Sequence, residues 1–206
     1  MQQSKLFQIL PDYICTPDGM AIDREGNLVL SCPNFADDSL PGCVVKIDKQ
    51  GSVRKWFDVP VNPAHGLART MGIAFDGDWN LYVGNFGDGA VHKITIEGGR
   101  AVKNEVWAKD PEQLTSTDGI CAGPDGCFYV ADFSANAVAR ISKDGEVTRI
   151  AQSPDTDGLH GELDQPGEPI VWDGKIVVSC FDLVTDPGKV NTAHEMPATM
   201  AYLDLE

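Results

Sequence analysis

Gly72-Ile-Ala-Phe-Asp-Gly-Asp-Trp-Asn-Leu-Tyr-Val-Gly-Asn85 is a short apolar strand, a tight turn rich in Asp and Gly, and a second apolar strand. The pattern occurs three more times. Gly19-Met-Ala-Ile-Asp-Arg-Glu-Gly-Asn-Leu-Val-Leu-Ser-Cys32 precedes it by 53 residues, and Gly119-Ile-Cys-Ala-Gly-Pro-Asp-Gly-Cys-Phe-Tyr-Val-Ala-Asp132 follows by 47. About 50 residues further on comes Pro169-Ile-Val-Trp-Asp-Gly-Lys-Ile-Val-Val-Ser-Cys180, one or two residues shorter at its turn. Further strands are predicted after the pairs, at Val44–Asp48 and Val53–Phe57, Val91–Ile96 and Glu105–Ala108, and Val138–Ser142 and Val147–Ala151. No segment sustains a 3.6-residue period, so helices should be few. Four short strands per unit of roughly 50 residues is the signature of a β-propeller blade.

The expected architecture is therefore all-β: one domain over residues 1–206, a propeller of about four four-stranded blades. Its repeats run over about 11–58, 59–109, 110–152 and 153–206. The fourth copy stops after its third strand, Met200–Leu205, and a lone strand at Leu6–Leu10 precedes the first. That N-terminal strand is expected to complete the last blade, closing the ring and removing an exposed sheet edge. The alternative is that two or more chains share a larger ring, as a homo-oligomer.

Net charge is −15, from 31 acids against 16 bases. Such a surface repels phosphate backbones and anionic lipid, which argues against nucleic-acid and membrane partners. No apolar run approaches the 18 or so residues of a membrane span. Met1-Gln2-Gln3-Ser4-Lys5 lacks the apolar core of an export signal, so a cytoplasmic location is expected. None of the six cysteines forms a C-x-x-C pair, and buried free thiols are expected for them.

The repeat heads resemble a known family. Thr16-Pro17-Asp18-Gly19-Met20-Ala21-Ile22-Asp23, continuing through Gly26-Asn27-Leu28, is similar to the Pro-Asp-Gly-Met blade of the senescence-marker-protein/gluconolactonase family, which is related to diisopropyl-fluorophosphatase. Gly167-Glu168-Pro169-Ile170-Val171-Trp172-Asp173 resembles the family's Gly-Glu-(Gly/Ser)-Pro-x-Trp-Asp motif, and Ser116-Thr117-Asp118-Gly119 stands where members carry Asn-Gly or Asn-Asp-Gly. The resemblance implies that Asp18, Asp118 and Glu168 ligate a catalytic divalent cation. Family members are usually six-bladed, their Glu-bearing blade comes first rather than last, and the second head here offers Met71 in place of Asn or Asp.

In a propeller the residue before each innermost strand projects toward the axis at one mouth. Asp18, Asp118 and Glu168 are expected to occupy this same place in three of the four copies, and carboxylates converging there repel and acquire raised pKa values unless a cation neutralises them. An all-oxygen set calls for Ca²⁺ first, with Mg²⁺, Mn²⁺ or Zn²⁺ as the other candidates. Such a cation can polarise a lactone or ester carbonyl and acidify a bound water, with Asp18 as general base or nucleophile. Asp-Gly is also ordinary turn chemistry, which is the competing account of Asp18 and Asp118. Asp23, Asp76, Asp125 and Asp173 are read as turn residues.

A polar–Phe pair recurs after the second strand as Asn34-Phe35, Asn85-Phe86, Asp132-Phe133 and, offset, Phe181-Asp182. Either the Phe wedges between blades beside a turn-forming residue, or Asn85 and Asp132 add contacts to the metal, with Asn34 the weaker third. His65 and His160 lie in loops leading to inner strands and are candidate acid/base groups, or simply solvent-facing. The insertion Leu183–Ala198, with His194, is placed to shape a pocket or a subunit contact. The expected activity is metal-dependent hydrolysis of a small lactone or ester. The alternatives are a non-catalytic propeller that binds a small ligand or a protein, and a strictosidine-synthase-like scaffold.

Overall fold

The computed structural model describes residues 9–37, 39–59, 69–181, 190 and 198–205. The strands in chain order are β1 (Met20–Ile22), β2 (Leu28–Cys32), β3 (Cys43–Ile47), β4 (Val53–Asp58), β5 (Thr70–Phe75), β6 (Leu81–Asn85), β7 (Ala90–Glu97), β8 (Arg100–Ala108), β9 (Ile120–Ala122), β10 (Phe128–Asp132), β11 (Ala137–Ile141), β12 (Val147–Gln152), β13 (Pro166–Trp172), β14 (Lys175–Cys180) and β15 (Met200–Asp204). They form four antiparallel meanders, β1–β4, β5–β8, β9–β12 and β13–β15, which are the blades of a four-bladed propeller. One 3₁₀ turn, Phe133–Ala135, is the sole helical element among the described residues.

The last blade has three strands among the described residues, where four were expected. Leu6–Gln8, most of the proposed closing strand, lie outside the described residues, and Ile9 and Leu10 are in no strand.

Turn chemistry sets the hairpins. In blades 1 to 3 the turn aspartate holds the far side of its own loop: Asp23 Oδ1 accepts from Asn27 N at 2.8 Å, Asp76 Oδ1 from Asn80 N at 2.9 Å and Asp125 Oδ1 from Cys127 N at 3.1 Å. In blade 4, Trp172 pairs with Lys175 across Asp173-Gly174, both at positive φ (48° and 71°). That is the two-residue primed turn suited to the right-handed twist of a hairpin. The turn reading of these four aspartates therefore holds.

Blades stack face to face in chain order. The first junction buries Ala21, Val29 and Val44 against Ile73, Phe75 and Leu81. The second buries Ala74, Tyr82 and Val91 against Ile120, Phe128 and Val130. The third buries Cys121, Tyr129 and Val138 against Val171, Ile176 and Val178. Strand alternation explains why each blade can do this twice, since successive side chains point to opposite faces. The cysteines are free; Cys32, Cys43, Cys127 and Cys180 are buried, Cys121 is half-buried and Cys15 exposed.

Candidate functional site

Every inner strand enters its blade through a bulge. In blade 1, Asp18 N donates to Ser31 O at 3.0 Å while Ser31 N donates back to Gly19 O at 2.9 Å, so two residues oppose one. Blade 3 repeats this with Asp118-Gly119 opposite Ala131 (2.9 and 3.0 Å). The pairing of β5 with β6 slips between Thr70 and Ile73, and that of β13 with β14 between Pro166 and Pro169. Asp18, Met71 and Asp118 hold the first bulge position, and Gly19, Gly72 and Gly119 the second.

The second position touches the next blade. Gly72 N donates to Asp118 O at 2.8 Å, and Gly119 N to Gly167 O at 2.7 Å. A Cβ on Gly72 would stand 2.5 Å from both Asp118 O and Ile120 N, and one on Gly119 would collide with Glu168 Oε2. Close approach of backbone to backbone is what requires glycine there.

These bonds correct the equivalence expected for Glu168. Asp118 O and Gly167 O accept in the same way, so Gly167 corresponds to Asp118, and Glu168 corresponds to Gly119. The serine contacts agree: Gly19 N donates to Ser31 Oγ at 2.8 Å and Glu168 N to Ser179 Oγ at 3.1 Å. Blade 4 thus carries Glu168 where blades 1 to 3 carry glycine, and among the described residues no other blade of the same copy stacks on that position. The Glu168 carboxylate reaches back over Gly119.

The three carboxylates nevertheless share one field. Asp118, half-buried, is pushed up to about 8 by burial and then by the charges of Asp18 and Glu168. Glu168 is raised to about 7 by burial and by Asp18. Asp18, whose surface stays exposed, is still raised by the protein packed around it, against the opposing hydrogen bond of the Gly19 amide. Among the described residues no group of three or more His, Cys, Asp or Glu side chains closes on a common metal position. The trio is thus joined by repulsion rather than arranged as a finished cage.

Asn85 and Asp132 have other partners. Asn85 Oδ1 accepts from Arg69 N at 3.0 Å and Gly87 N at 3.2 Å. Asp132, fully buried, accepts from Thr115 N at 2.7 Å and from Ser116 N and Oγ at 3.0 Å each, with Arg149 3.6 Å away. Asn34 Oδ1 likewise accepts from Cys15 N at 3.2 Å. Each of the three pins the loop that delivers an inner strand to the mouth, so they set the position of the heads from behind.

Their phenylalanines run along the same mouth: Phe35 and Phe86 meet edge-on at 6.4 Å, and Phe86 and Phe133 lie tilted at 5.8 Å. Arg69, which the sequence did not single out, lies 5.1 Å from the Phe35 ring and donates to Pro33 O and Asn34 O at 3.0 Å each. His160 is exposed, its backbone N–H donating to Glu162 Oε2 at 2.9 Å. His65, Asp182 and His194 lie outside the described residues.

Thr117, next to Asp118, is completely buried, and its hydroxyl has no hydrogen-bond partner among the described residues. An unsatisfied buried hydroxyl costs about 1–3 kcal/mol. Thr117→Val is therefore expected to raise the melting temperature by a few degrees, read by calorimetry; a fall would show that the hydroxyl is satisfied in solution.

Neither a protein-family model nor a curated protein matches the sequence. Solved structures do match. A gluconolactonase from Xanthomonas campestris is 18% identical with a TM-score of 0.62, over 80% of this chain and 54% of its own. The calcium-binding protein regucalcin from Agrobacterium tumefaciens is 18% identical with a TM-score of 0.61, over 83% and 55%. Virginiamycin B lyase from Staphylococcus aureus is 19% identical with a TM-score of 0.63, over 83% and 51%. The chain spans about half the length of these structures. No helix among the described residues is long and apolar enough to cross a membrane. What the likeness establishes is the architecture: this chain is built on the propeller fold of the gluconolactonase and regucalcin structures.

Proposed function

We propose that the mouth formed by Asp18, Asp118 and Glu168 binds a divalent cation and hydrolyses small lactones or esters. The observation that carries this reading is the crowding of three carboxylates at one mouth: burial first, and then repulsion from Asp18 and Glu168, raises Asp118 to about 8, while burial and then the charge of Asp18 raise Glu168 to about 7. Oxygen donors under such repulsion fit a hard cation, Ca²⁺ ahead of Mg²⁺, Mn²⁺ and Zn²⁺. Bound there, a divalent cation would supply Lewis-acid polarisation of the carbonyl and a more acidic water. The names of two structural neighbours, a gluconolactonase and a calcium-binding protein, support the same choice.

The chain's own residues have separate tasks. Asp18, exposed at the rim, is the candidate general base or nucleophile, and His160 a second proton carrier on the loop before β13. The phenylalanines line the mouth with apolar surface for a small substrate. The backbone pins from Asn85 and Asp132 hold the heads in place.

Titration calorimetry with Ca²⁺ tests the cation. Binding must displace protons that Asp118 and Glu168 hold near neutrality, so affinity should rise between pH 6 and pH 9 and protons should be released. Hydrolysis of a panel of five- and six-membered lactones and aryl esters tests the reaction. Asp18→Ala and Glu168→Ala should each lower turnover at least a hundredfold. Undiminished turnover in the double variant, with no stoichiometric cation, would sink the proposal. Cation binding without turnover would make this a binding propeller instead.

A further inference from the structure

The three blade junctions share one construction. The earlier blade contributes the face that carries Ala21, Ala74 or Cys121 on its inner strand, and the later blade contributes the face that carries Ile73, Ile120 or Val171. Among the described residues of one copy, the four blades leave two such faces over, one of each kind. On the first blade the remaining face is of the later kind, and its inner strand presents Met20 and Ile22, 63% and 61% exposed. Leu10, Tyr13 and Ile14 cover the outer part of that face and leave the inner strand bare. On the last blade the remaining face is of the earlier kind. Val171, Ala201 and Leu203 point inward to blade 3, so Ile170, Trp172, Met200 and Tyr202 point outward, each 58–66% exposed.

Side chains of this size are rarely left bare in a contiguous set on an isolated protein. These two sets are also of the two kinds that meet in an interface the chain already makes three times, with Glu168 in place of glycine on the last blade. They do not cover each other within one chain, since both are exposed. We infer that a second copy of this chain covers them, head to tail, with the last blade of one copy seated on the first blade of the next. The contact is heterologous, using different patches on the two partners, and closes into a ring only if both ends engage. A closed pair would join all the blades of both copies around one axis, within the range of four to eight typical of propellers.

Light scattering on the 206-residue chain is expected to give twice the 22.2 kDa of one copy. A single copy at about 100 µM, well above a typical homodimer dissociation constant, overturns the inference. The geometry has its own test. Ile22→Glu and Trp172→Glu each spoil every contact, so each alone is monomeric. When the two are mixed, the intact last blade of the Ile22→Glu copy meets the intact first blade of the Trp172→Glu copy, and the mass of a pair returns. If Ile22→Glu alone remains paired, the contact uses the last blade on both sides and the head-to-tail assignment is wrong. Failure of the mixture to pair overturns it as well. Ile22→Ser and Trp172→Ser, checked for folding by circular dichroism, serve the same purpose should a buried charge unfold either variant.

Discussion

Asp23→Ala is expected to be the most damaging single substitution outside the blade junctions, costing about 3–5 kcal/mol. Asp23 and Lys46 form an ion pair with side chains only 4% and 5% exposed. Removing the carboxylate leaves an ammonium group buried, with Glu25 Oε2 at 3.6 Å and the Trp56 ring at 5.0 Å as its partners among the described residues. It also takes away the bonds from Asn27 N (2.8 Å) and Nδ2 (3.0 Å) that hold the first hairpin turn. At roughly 2–4 °C per kcal/mol for a chain of this size, the melting temperature should drop by about 10 °C. Adding Lys46→Met should recover much of the loss, because an apolar stem no longer demands a counter-charge. A drop of less than 2 °C for Asp23→Ala would show that the pair is solvated.

Asp23 also makes a prediction in acid. Burial pushes its pKa up, but the bonds from Asn27 and Lys46 outweigh this and lower it from 3.8 to about 2. A carboxyl lowered on folding contributes stability above the unfolded value and loses it as pH falls through the folded one. The loss should run from about pH 4 down to about pH 2, and should be missing in the Asp23→Ala variant.

Asp118 works in the opposite direction, and Asp118→Asn is expected to stabilise the cation-free protein at alkaline pH. An unfolded chain releases this proton near 3.8, while the folded protein keeps it to about 8. Between those values the unfolded state binds fewer protons, so stability falls as pH rises. Glu168 adds to the slope between 4.5 and about 7. With solvent screening at this open rim discounted, removing the Asp118 charge should return about 1–3 kcal/mol at pH 9 and nothing at pH 3. The variant should melt several degrees above the parent at pH 9, and millimolar Ca²⁺ should raise the parent towards it. Equal melting temperatures at pH 9 would mean that neither burial nor the neighbouring carboxylates disfavour the ionised Asp118.

The blades were legible in the sequence because strand, turn and strand are local. Alternating apolar residues and Asp-Gly turns are set by neighbours in the chain, and the spacing of the copies did the rest. The heads were less legible. Aligning Pro169 with Gly19 and Gly119 put Glu168 level with Asp18 and Asp118, whereas the bonds to the neighbouring blade place it one residue further along. A bulge is fixed by what stacks on it, which a single sequence does not display. Asn85 and Asp132 show the same limit. Their recurrence marked a fixed place, but only the amides of Arg69, Thr115 and Ser116 reveal that the place is a loop anchor. The three strands that the last blade shows among the described residues, by contrast, could be counted from the spacing alone.

The stacking of blades strictly in chain order has a thermodynamic consequence. Each blade owes its stability to its own meander and to at most two nearest neighbours, so the chain behaves as a short one-dimensional array. Within a single, unpaired copy the end blades have one coupling each among the described residues and the middle pair two. Opening should then begin at the ends and travel inward, with blades 2 and 3 the last to yield. Asp118 sits in that protected middle, and Asp18 and Glu168 on the blades that fray, so the mouth would come apart from both sides before its centre did.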